Sequence, residues 1–118
     1  MNRLPALALA FVAHLAFGQG PAKGDATVVG ISLDPRKVHE ECVRMEAGEK
    51  RKYHWKSTAP VDFNVHYHRG AEVFYPIKRD GMRGDGGTFN AKTAEEYCWM
   101  WTARDQAKAT KIEGRIER

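Results

Sequence analysis

The run from Pro60 to Lys78, PVDFNVHYHRGAEVFYPIK, decides how the rest of the chain is read. Val61, Phe63, Val65 and Tyr67 alternate with Asp62, Asn64, His66 and His68. That is the period of a strand with one apolar and one polar face. Arg69-Gly70-Ala71 offers a turn, and Val73, Tyr75 and Ile77 begin a second alternating run. The stretch therefore predicts a β-hairpin. Its polar face carries His66 and His68, with Glu72 just across the turn.

Working outward, the segments on both sides of the hairpin have the same short-strand character. Thr27 to Leu33 is apolar and β-branched, and Asp34-Pro35 ends it with a turn signal. Val38 to Met45 has features of both helix and strand; the tight turn offered by Ala47-Gly48-Glu49 favours a strand. In Arg51 to Lys56, Tyr53 and Trp55 share a face, and Ser57 to Pro60 reads as the connection into the hairpin. Arg79 to Gly87 is glycine-rich and polar and reads as a long loop, followed by a short strand at Thr88 to Ala91. Tyr97 to Thr102 and Thr110 to Ile116 supply the last two strands. Seven or eight short strands at this spacing predict an all-β fold, a single antiparallel β-sandwich of jelly-roll type over residues 27–118.

The first 18 residues stand apart. Arg3 precedes an apolar run from Leu4 to Phe17, and Ala16-Phe17-Gly18 has the small-x-small pattern of a signal-peptidase site. The run falls short of the ~20 apolar residues of a spanning helix, so a cleaved signal peptide is favoured over an uncleaved anchor. Residues 19–26, with Gly20, Pro21 and Gly24, read as a flexible leader. These features predict an exported protein, periplasmic or extracellular, with no membrane span once the signal peptide is removed.

The net charge of the 118-residue chain is +4. Basic and acidic residues are interspersed, with no like-charged block or basic helix, which argues against nucleic acid as a partner. Cys42 and Cys98 are an even pair in the exported part and predict one structural disulfide. They lack the Cys-x-x-Cys spacing of a redox or thiolate-metal motif.

Two features are candidates for chemistry or binding. His66 and His68, two apart on one strand, project from one face, and Glu72 enters from the partner strand. Nitrogen and oxygen donors of this kind suit a divalent transition metal; the alternative is a solvated polar face. Among the aromatic residues most are expected in the core, and Tyr67, Trp99 and Trp101 are candidates for a ligand face. Ser32 and Ser57 lack a nucleophile motif, and nothing in the sequence brings Asp62, Glu72 and Asp85 together for acid–base work. The sequence thus favours a non-catalytic module.

The His66-x-His68-x3-Glu72 spacing resembles the first cupin motif, with Gly81 as the downstream glycine. That resemblance implies a small metal-binding barrel using His66, His68 and Glu72, with an enzymatic role as one reading of it. Pro60 stands where the motif has its upstream glycine, and no histidine follows His68 to complete the second motif. A longer resemblance runs through Glu41-Cys42, Ala47-Gly48-Glu49, Tyr53-x-Trp55, Pro60 to Val65, Gly87-x-Phe89 and Tyr97-Cys98. This order of landmarks is similar to that of GOLD domains, the lumenal β-sandwiches of early secretory cargo receptors. It implies a binding or interaction sandwich, with a protein or small ligand as partner.

Overall fold

A computed structural model describes residues 26–118. The signal peptide expected over residues 1–18, and all but the last residue of the leader, lie outside that range. The strands are β1 (Ala26–Leu33), β2 (Val38–Met45), β3 (Lys50–Arg69), β4 (Glu72–Asn90), β5 (Glu95–Ala103) and β6 (Thr110–Glu117). All pairings are antiparallel. No helix among the described residues is long and apolar enough to cross a membrane.

The all-β expectation is met, with six strands among the described residues rather than seven or eight. Two breaks expected from sequence are bends within long strands. Ser57 to Pro60, read as a connection, lies inside β3, and the Arg79 to Gly87 loop is the middle of β4. Trp55 and Phe63 are eight residues apart, a span of about 26 Å along a straight strand. Their rings nevertheless stand 5.1 Å apart. β3 therefore folds back on itself between them. Ser57 Oγ donates to the Ala59 carbonyl at 2.6 Å, and Thr58 Oγ1 accepts from the Lys111 amide at 3.0 Å, holding the bend.

This bend organises the sheet. β4 follows β3 from end to end, while the opposite edge of β3 pairs first with β6 (Lys52–Ser57) and then with β5 (Val61–His66). β1 extends the sheet beyond β6, and β2 extends it beyond β5. The outcome is one antiparallel sheet curled into a half-barrel. Its concave side holds Tyr53, Trp55, Phe63, Val65, Phe89, Tyr97, Trp99, Trp101, Ile112 and Ile116, all buried.

The glycines of β4 explain why that segment resembles a loop in sequence. A side chain at Gly84 or Gly86 would press on the Trp55 or Tyr53 carbonyl oxygen, at 3.0 and 3.1 Å. Gly81 has a φ of +67°, and its N–H donates to Asp62 Oδ1 at 2.9 Å, fixing a bulge where β4 follows the bend of β3. On the other arm, Cys42 and Cys98 lie directly opposite in the β2–β5 register and form the expected disulfide.

Candidate functional site

The convex face of the β4–β3–β5–β2 arm carries the polar residues singled out in the hairpin. His66 projects away from the aromatic core yet is only 3% exposed. It stands in register with Cys98, itself opposite Cys42, so the disulfide packs beside it. Asn64 Oδ1 lies 2.7 Å from His66 Nδ1, and Glu40 Oε1 of β2 reaches across β5 to within 3.2 Å of Nε2. The His68 ring stands edge-on at 5.2 Å and the Tyr75 ring at 5.8 Å. Burial, the largest influence, holds the His66 pKa below its ordinary value; the Glu40 charge opposes this, and His68 adds to it.

The structure sorts the three expected ligands. His66 and His68 share a face, as the alternation predicts. Glu72 does not join them: the two-residue turn at Gly70-Ala71 pairs Arg69 with Glu72 and His68 with Val73. Partners across an antiparallel ladder project to the same side, so Glu72 points to the face opposite the histidines. Gly70, at a φ of +62°, suits the first central position of such a turn. The donor atoms of His66, His68 and Glu72 do not gather within 4.8 Å of one another. Among the described residues the one such cluster is Glu40 with Cys42 and Cys98, whose sulfurs are bonded to each other.

Sequence reasoning missed Glu40 and Asn64. Asn64 was accessible, since it shares the polar face of His66 two residues away. Glu40 was not, because its approach depends on the order β3–β5–β2.

On the other side of the hairpin lies an open groove of about 670 Å³, lined by Tyr67, Phe74, Ile77, Phe89 and Tyr97 with Lys92 at its rim. Tyr67 and Phe74 stack at 5.1 Å with planes 13° apart, and Tyr97 meets Tyr67 edge-on. The Arg69 guanidinium lies 5.6 Å from the Tyr67 and Phe74 rings and donates to Glu95 Oε1 at 2.6 Å. Of the three aromatics expected on a ligand face, only Tyr67 reaches this groove. Trp99 and Trp101 are 0% and 1% exposed, because their strand face is the one enclosed by the bend of β3.

No protein-family profile matches the sequence, and no curated protein matches it. Solved structures do match. One is the crystal structure of PliG from Aeromonas hydrophila, a periplasmic lysozyme inhibitor of g-type lysozyme. It aligns with a TM-score of 0.59 over 84% of this chain and 90% of its own, at 14% identity. The likeness is one of fold. In this fold the bent strand β3 sets both candidate surfaces, the His66 face and the aromatic groove, on the two sides of a single hairpin.

Proposed function

We propose that the chain is an exported protein-binding module that engages its partner with the β3–β4 hairpin and the aromatic groove beside it. The observation that carries this reading is the fold shared with PliG, an inhibitor of g-type lysozyme and so of another protein. The hairpin has the shape of a contact element. Pairing of β3 with β5 ends at His66, so Tyr67 to Arg69 run on with β4 alone. Val73 and Tyr75 are exposed there, at 38% and 47%. Ring stacking and the Arg69–Glu95 pair hold the projection in one shape, which lowers the ordering cost of binding.

Export is part of the same reading. It rests on the apolar N-terminal run in the sequence and on the Cys42–Cys98 disulfide, which suits an oxidising compartment. Kinship with GOLD domains is likewise proposed, on the landmarks from Glu41 to Cys98.

The partner class to try first is a lysozyme. Untagged protein, added in equimolar amount, is expected to slow clearing of a peptidoglycan suspension by a g-type lysozyme. Replacing Val73 and Tyr75 together by Ala is expected to raise the concentration needed by about tenfold or more, as for exposed anchors of an interface. Unchanged clearing by g-type and other lysozymes, with no complex on size-exclusion chromatography, would sink the lysozyme assignment. Full inhibition by the double variant would move the contact surface elsewhere.

A further inference from the structure

We infer that His66 and Glu40, with His68, form a divalent metal site of the zinc class on the convex face, tying β2 to β3 across β5. The reasoning begins with the two ring nitrogens of His66. Nδ1 faces Asn64 Oδ1 at 2.7 Å, an oxygen that accepts when Nδ1 carries the ring hydrogen. Nε2 then turns a lone pair toward the Glu40 carboxylate at 3.2 Å. In that tautomer two electron-rich atoms face each other, one of them on a buried ring, and a proton or a metal ion between them relieves the repulsion.

The spacing fits a metal ion. Donors each about 2.0–2.1 Å from a tetrahedral zinc stand about 3.3 Å apart, close to the Nε2–Oε1 separation. The Nδ1–H to Asn64 contact is the outer hydrogen bond that orients a ligating imidazole. His68 projects from the same face two residues on, and its ring lies 5.2 Å from that of His66. Its donor atoms do not lie within 4.8 Å of both other donors in this conformation; it is exposed, so its side-chain torsions are free to bring a nitrogen to the ion as third ligand. Water would take the fourth position. Glu72, on the opposite face, has no part in this site.

The test is calorimetric titration of zinc into untagged, chelator-treated protein with its disulfide intact. One equivalent is expected to bind. Glu40→Gln and His68→Gln are each expected to weaken binding at least tenfold, while Glu72→Gln leaves it unchanged. Glu40 is 42% exposed in its side chain and His68 is exposed, so both variants retain the fold. Nitrogen-resolved NMR adds an independent reading: His66 Nδ1 keeps its proton and Nε2 shifts on zinc addition. Absence of one-site binding would overturn the proposal, with Asn64 then presenting its NH2 to Nδ1 and Nε2–H donating to Glu40. Binding that survives Glu40→Gln at full strength would overturn it equally.

Discussion

Gly114 is where the curled sheet is most sensitive to a single methyl group. It sits in β6 between Val29 of β1 and Trp55 of β3. A Cβ there would lie 2.5 Å from the His54 carbonyl oxygen, 2.7 Å from Trp55 Cβ and 3.0 Å from Trp55 Cα. No rotamer change relieves contacts with these atoms. Trp55 has little room to retreat, with Phe63 at 5.1 Å and Trp101 at 6.3 Å behind it. Gly114→Ala must therefore push β6 away from β3 along their shared ladder. Overpacking of this kind costs about 1–3 kcal/mol, and the backbone clash places this case at the upper end. A loss of about 3 kcal/mol corresponds to a fall in Tm of roughly 12–24 °C for a domain of this size.

Gly30, on the neighbouring strand, is the control. An added Cβ there meets nothing within 4 Å, and Gly30→Ala is expected to be neutral or to stabilise by up to about 1 kcal/mol. Urea unfolding of both variants, compared at equal m-value, reads the difference directly. A Gly114→Ala protein within about 0.5 kcal/mol of the parent would refute the close approach of β6 to the bent strand.

Three further outcomes follow from the same contacts. The Cys42–Cys98 bridge spans 56 residues of sequence, so replacing both cysteines by Ser is expected to lower stability by about 4 kcal/mol in the chain-entropy model; unreduced mass spectrometry showing two free thiols in the parent would contradict the bridge itself. Tyr53 has its pKa pushed up to about 12 by burial and the nearby Asp85 charge, against an ordinary 10. Its neutral form is favoured on folding, so its contribution is complete below pH 10 and is lost as pH rises through about 12. Denaturation midpoints should fall over that interval, and Tyr53→Phe should shallow the fall; an identical slope in the variant would rule out Tyr53 as a source. Asp62→Ala removes the acceptor for Gly81 N–H at the β4 bulge and is expected to lose about 1–3 kcal/mol, measured by thermal unfolding; no loss would show the bulge holding without Asp62.

The strands β1, β2, β5 and β6 were legible because alternation and turn residues delimit them within a residue or two. The long strands were not. Ser57 to Pro60 lacks strand patterning because it bends, and the glycines of Arg79 to Gly87 look like loop chemistry. Their role is to let β4 lie against the Tyr53 and Trp55 carbonyls, a tertiary demand that no local pattern expresses. At the candidate site, alternation placed His66 and His68 together correctly. It assigned Glu72 the wrong phase, although a strict two-residue turn already pairs position 69 with 72 and position 68 with 73. The Glu40–His66 approach depends on strand order and lay beyond reach. Trp99 and Trp101 were known to share a face; that the face is interior follows only from the fold of β3 over it.

The central claim is that the β3–β4 hairpin and its groove are the contact surface for a protein partner. Hydrogen–deuterium exchange on the protein with and without g-type lysozyme tests it most directly. The account predicts slowed exchange at Glu72 to Ile77 and Thr88 to Thr93, with β1 and β6 unchanged. Slowing confined to β1 and β6, or none with lysozyme in excess, would contradict it.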